Sequence, residues 1–198
     1  MKSLLLIPVL LAAVALPKSA TPAVAHGDND WTVDTVHSSC IFRVKMHGDA
    51  AHFYGMFDKV EGSVTLDPAK PETGSVKIVI DVDSVHTHDA KRDGHLKNAD
   101  FFSAKENPTI EFTSTKIAKQ TDGRFAVTGK LSMAGKSKEI TIPVTRIGEA
   151  EMYGKRVGWE AEFAIKRSDF GMTYGLDKNA LGDEVGLLIA IEAMQEQK

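Results

Sequence analysis

From Cys40 to the last strand-like segment, apolar side chains recur at every second position. Cys40, Phe42, Val44 and Met46 alternate with Ile41, Arg43, Lys45 and His47, and Val60, Gly62, Val64 and Leu66 alternate with Lys59, Glu61, Ser63 and Thr65. Val76, Ile78, Ile80 and Val82 form a third such set, and Ile110 with Phe112 a fourth. The remaining sets are Phe125 to Met133, Ile140 to Val144, Val157 to Ile165 and Val185 to Ala193. Successive side chains of an extended chain point to opposite faces, so a period of two specifies strands with one buried and one wetted face. Turn chemistry separates the segments at Asp67-Pro68, Gly74, Asp122-Gly123, Ala134-Gly135 and Tyr153-Gly154. Pro143 falls inside the sixth segment, and its missing N–H marks an edge or an irregularity there. Eight one-faced strands joined mostly by hairpin-length turns fit an all-β, eight-stranded antiparallel barrel, because closure removes both exposed edges. A two-sheet sandwich satisfies the same alternation.

The alternation fails at length in two places. In the first, residues 82–102, Thr87 and Asp89 are suited to cap a short helix, Asn98 to end it in a left-handed conformation, and Gly94 to weaken it. A weak, charged segment ending in Phe101-Phe102 is poor core material and reads as a lid over an open apolar end. Arg92, His95 and Lys97 offer cations to a headgroup at the mouth, but Asp89, Asp93 and Asp100 are interleaved with them, and local pairing uses up the same groups. The second irregular connection, residues 167–183, carries Phe170, Met172 and Tyr174.

Lys2 followed by the apolar run Leu4 to Leu16 and by Ala23-Val24-Ala25 has the layout of a secretory signal peptide. The expectation is export, with residues 1–25 removed after Ala25 and residues 26–198 forming one domain. Removing that segment takes away Lys2 and Lys18 and no acid, leaving 22 basic and 27 acidic residues, a net charge of −5. That balance argues against nucleic acid or an anionic membrane surface as partner. Cys40 is the only cysteine, which excludes a disulfide within the chain and leads to the expectation of a buried thiol.

His86-x-His88 with Asp89 and His95 superficially resembles a metal-ligand cluster, which supports an alternative reading as a metal-dependent enzyme. The hydrolase pattern that begins His-x-His needs its Asp and third His two and three positions further on. Here Asp89 is adjacent to His88, and positions 90 and 91 are Ala and Lys. No Gly-x-Ser-x-Gly elbow, phosphate loop or dinucleotide fingerprint is present. No catalytic residue, metal ligand or cofactor is therefore assigned.

Three separated motifs carry a resemblance. Asp34 with His37-Ser38, then Thr87, Arg92-Asp93, His95-Leu96, Asp100-Phe101-Phe102 and Pro108, and finally Arg167-Ser168-Asp169-Phe170-Gly171-Met172 resemble the signature of the polyisoprenoid-binding, YceI-like family, from about Trp31 to about Ala193. The resemblance implies a lipocalin-like barrel with a short helical lid segment, although the Gly-x-Trp opening of true lipocalins is missing. It also implies a non-catalytic periplasmic carrier of isoprenoid-type (quinone or polyprenyl) or other long-chain amphipathic lipids, with a homodimer left open. The inward faces supply the candidate ligand-binding residues Phe42, Val44, Ile78, Ile80, Phe112, Phe125, Val127, Trp159 and Phe163, and the two irregular connections add Phe101, Phe102, Phe170 and Met172. At ~3.3 Å per residue Val157 to Ile165 spans roughly 25 Å, a length suited to an extended hydrocarbon chain.

Overall fold

Each alternating segment becomes a strand in a computed structural model, which describes residues 29–195. The segment assigned to export lies outside the described residues. The first stave of the barrel consists of two pieces, β1 (Asp30–Val33) and β2 (Ser39–Met46). The second is β3 (Ala51–Phe57) and β4 (Val60–Thr65), and the third is β5 (Ser75–Asp81) and the short β6 (Val85–His86). Five unbroken strands follow: β7 (Thr109–Lys119), β8 (Phe125–Met133), β9 (Lys136–Glu151), β10 (Lys155–Lys166) and β11 (Leu181–Met194). Each stave pairs antiparallel with the next. The ring closes because β11 pairs with β2, as in Leu187 opposite Phe42, and with β1, as in Ala193 opposite Val33. The barrel, rather than the sandwich, is therefore the solution.

The first stave is broken because Asp34 Oδ1 accepts from the backbone N–H groups of Val36 and His37, turning the chain between β1 and β2. Sequence reading began the first strand at Cys40 and missed β1, whose Trp31 and Val33 provide too little alternation to register.

The lid connection runs from β6 to β7 and contains the helix α1 (Ala90–Leu96). Asp89 caps it, accepting from Arg92 N at 2.8 Å. Its end differs from expectation: Lys97 closes the helix in a right-handed conformation, and the left-handed residue is Ser103 (φ 49°), not Asn98. The Asn98 carbonyl accepts from Phe101 N and Ser103 N, so Asn98 starts a second turn that carries Phe101 and Phe102 back over the barrel.

The two ends of the barrel are filled differently. Away from the lid, Trp31 and Trp159 stand edge to face with ring centroids 6.1 Å apart, and Val33, Val157 and Ala193 are buried around them as a packed floor. At the lid end the wall is incomplete. The β9–β10 ladder runs from Glu151 opposite Lys155 to Val144 opposite Ala161 and stops beside Pro143, which has no N–H to continue it. Beyond that point β9 pairs only with β8, and the last residues of β10 pair only with β11.

Candidate functional site

Between the floor and the lid the barrel encloses a cavity of about 200 Å³. Phe42, Val44, Ile78, Ile80, Phe101, Phe102, Phe112, Phe125, Val127, Trp159, Phe163 and Met172 all line it. Phe170 does not: it is 1% exposed and faces a second cavity in the split between β9 and β10. Gly171, in the left-handed region at φ 83°, reverses the chain after Phe170 so that Met172, rather than Phe170, reaches the barrel interior. Sequence reading left out Leu66, Val76, Ile117, Leu131 and Leu181, which also line the cavity. For those within recognised strands, the inward parity of the alternation was the available signal.

Only Glu160 and Arg167 contribute charged residues to the lining, and neither presents a free charge to it. Glu160 is exposed on the outer face. Arg167, 3% exposed, is consumed by backbone carbonyls: Nε donates to Gly182 O at 2.7 Å, Nη1 to Met172 O at 2.8 Å, and Nη2 to Tyr174 O at 2.8 Å and Leu181 O at 2.9 Å. Burial pushes its pKa down and the charge of Asp183 partly offsets this; the guanidinium stays a cation. Asp183 in turn accepts from Ser168 N and Ser168 Oγ, so the motif from Arg167 to Met172 folds the connection that helps cap the barrel.

The other two motifs are fasteners as well. In the lid, Thr87 donates its hydroxyl to Asp93 and accepts from Arg92 Nε, while Arg92 Nη2 donates to Thr87 O at 2.7 Å and the guanidinium lies 4.2 Å over the ring of Phe53 on β3. At the far end Asp34 accepts from Arg156 Nη1 and His37 Nδ1, and Arg156 also bonds Glu192 on β11. Burial raises the Asp34 pKa, but the bonds from Arg156, His37 and Val36 N outweigh it and hold the carboxyl at about 2, below its ordinary 3.8. This cluster ties β1, β10 and β11 together where the barrel closes.

The three headgroup candidates each have a local partner. Arg92 holds Thr87, His95 Nε2 lies 2.8 Å from Asp100 Oδ2 and packs edge-on against Phe101 and Tyr174, and Lys97 Nζ donates to Asp83 O at 2.7 Å. His86 and His88 do meet, Nε2 to Nδ1 at 3.0 Å on the exposed surface, but His95 does not join them. Among the described residues the only trio of potential metal ligands brought together is Asp34, His37 and Glu192, and a guanidinium already bridges two of its carboxylates. Cys40 is 1% exposed, and burial pushes its thiol up to about 12, which makes it inert as a nucleophile.

The family model for the YceI-like domain matches residues 31–193. Protein YceI of Escherichia coli is 35% identical over 191 residues, covering 94% of this chain and 96% of that one. Among solved structures, BcnA of Burkholderia cenocepacia superposes with a TM-score of 0.75 at 30% identity, covering 82% of this chain and 99% of that one. A polyisoprenoid binding domain from Saccharophagus degradans shares the fold with a TM-score of 0.65 at 15% identity, covering 84% of this chain and 98% of that one.

Proposed function

The chain belongs to the YceI-like family, and from that premise we propose that it is a non-catalytic periplasmic carrier holding the hydrocarbon tail of an isoprenoid-type or similar long-chain amphiphile inside its barrel. The observation that carries this reading is a cavity lined by apolar side chains, with its one buried cation already spent on backbone carbonyls. Such a space offers little with which to recognise a polar metabolite, and the one thiol that lines it, Cys40, is kept protonated by burial. The fold shared with a polyisoprenoid binding domain supports the same class of ligand. Each methylene of the tail that leaves water for this apolar space contributes ~0.8 kcal/mol, so burial of the chain supplies affinity without polar recognition.

The test is to express the full chain, purify it without detergent, extract it with organic solvent and identify the extract by mass spectrometry. A stoichiometric long-chain amphiphile is expected. An empty extract, together with failure of the delipidated protein to take up a prenyl chain, removes the proposal.

A further inference from the structure

On the outside of the barrel, where β6 runs into the lid connection, His86 Nε2 lies 3.0 Å from His88 Nδ1. The rings stand at 87° with centroids 4.5 Å apart, closer than an in-line N–H···N bond of that length leaves them, so the contact is bent. The backbone that carries them is held on three sides. His86 pairs with Met56 of β3, Thr87 between the two histidines is 2% exposed and bonded to Arg92 and Asp93, and Asp89 after them caps α1. His88 itself sits in the left-handed region at φ 61°, a conformation that residues other than glycine keep only where their surroundings impose it.

We propose that this pair is a surface site for a copper(II) ion, with His86 Nε2 and His88 Nδ1 as neighbouring ligands. The site is independent of the carrier reading. An ion ~2.0 Å from each of two nitrogens 3.0 Å apart sees them at roughly 97°. That is close to the right angle between adjacent ligands of a square or tetragonal copper(II) centre, and narrower than the tetrahedral angle of zinc. Asp58 Oδ2 is 3.9 Å from His86 Nδ1, so it favours a proton on that nitrogen and leaves Nε2 its lone pair. His88 with its proton on Nε2 presents Nδ1 in the same way, and binding then requires no proton to leave the pair. Met56 lies directly opposite His86, and the next pair in that ladder, Phe57 and Val85, is buried, so the Met56 thioether and the His86 ring share the outer face. A thioether on that face is the soft, weak axial donor that copper accepts. Asp58 and Asp89 bring negative charge to a cation there. His95 does not join the pair, so the three-ligand set of a hydrolytic zinc is not assembled and the site fits binding of an ion, not hydrolysis.

The test titrates copper(II), nickel(II) and zinc(II) chlorides into the full chain by calorimetry, with glycine in the buffer to strip ions from isolated surface side chains. Pulsed electron paramagnetic resonance of the copper complex, recorded after the glycine is removed, counts the imidazole ligands. Copper(II) is expected to be held by two imidazoles and about tenfold or more tighter than nickel or zinc. Asp58→Asn is expected to weaken copper binding about tenfold through the His86 ring. His86→Gln and His88→Asn are each expected to remove the two-imidazole signal, whereas His52→Ala, an exposed histidine on β3, leaves it intact. Asparagine tolerates the left-handed backbone at position 88, and circular dichroism checks that each variant keeps the fold. Should the variants not fold, the ligand count and the metal preference of the wild type decide by themselves. A two-imidazole signal that survives both histidine substitutions, a wild-type complex with fewer than two imidazoles, or zinc held as tightly as copper overturns the site.

Discussion

Replacing Gly55 tests directly whether the barrel is hollow. Gly55 on β3 lies opposite Phe42 on β2, and a Cβ built at position 55 comes within 2.3 Å of Phe42 Cζ, with Cε1 and Cε2 at 2.8 and 2.9 Å. To reach ordinary contact at 3.4 Å the ring has to retreat by at least 1.1 Å, and Phe42 lines the cavity, so the retreat is into empty space. In a solid core this overpacking costs about 1–3 kcal/mol, which lowers Tm by roughly 3–10 °C for a chain of this size. In a hollow barrel the ring swings aside and the loss of glycine's freedom in the unfolded chain contributes about 0.4–1 kcal/mol of stability, so Tm of Gly55→Ala stays level or rises slightly. The same movement takes room from the ligand. One added carbon displaces about one methylene of tail, ~0.8 kcal/mol or roughly fourfold in affinity, and the three carbons of Gly55→Val displace about 2.4 kcal/mol, roughly fiftyfold. Thermal denaturation of ligand-free protein and titration with a prenyl chain measure the two quantities on the same samples. A Tm that falls by several degrees with affinity unchanged refutes the hollow interior and, with it, the carrier function.

Other outcomes follow from particular contacts. Phe102→Ala removes a ring that packs edge-on to Phe57 at 5.6 Å and lines the cavity from the lid, so the bound chain dissociates faster in stopped-flow displacement while circular dichroism stays unchanged. Val127→Asp buries an unpaired carboxylate where the native residue is 3% exposed, at a cost of several kcal/mol, and is expected to appear in the insoluble fraction or to bind no lipid. Because the Asp34 pKa is held at about 2 against an ordinary 3.8, its contribution of order 2 kcal/mol is present above about pH 4 and disappears as pH falls through 2. Denaturant titrations of Asp34→Asn against the wild type across that window should converge at the acid end; a gap that persists at pH 2 contradicts the assignment. The Cys40 thiol, with its pKa raised to about 12, should react with a thiol reagent only at the rate at which the protein opens.

The polar residues of the motifs that reveal the family act as fasteners, while the apolar ones among them, Leu96, Phe101, Phe102 and Met172, line the cavity. Arg167, Arg92 with Thr87, and Asp34 with Arg156 all fasten chain segments where the barrel closes or its lid folds down, and such hydrogen-bond geometry tolerates few substitutes. The cavity walls are Val, Ile, Leu and Phe at alternating positions, a pattern that says which way a side chain faces without saying which one it meets. Phe170 illustrates the difference. It looked equivalent to Met172 in the sequence, yet a single left-handed residue, Gly171, directs the two into different spaces.

The sequence alone determined eight staves and their order, because a period of two and the intervening turn residues act within a few neighbours of one another. Pro143 even marked where pairing would fail. Whether the inward side chains meet or leave a void depends on how far apart the closed ring holds opposite walls, a distance set by all the strands at once and written in none of them. The same holds for the two cavities on either side of Ile165, since the gap between β9 and β10 exists only after β11 has closed the ring.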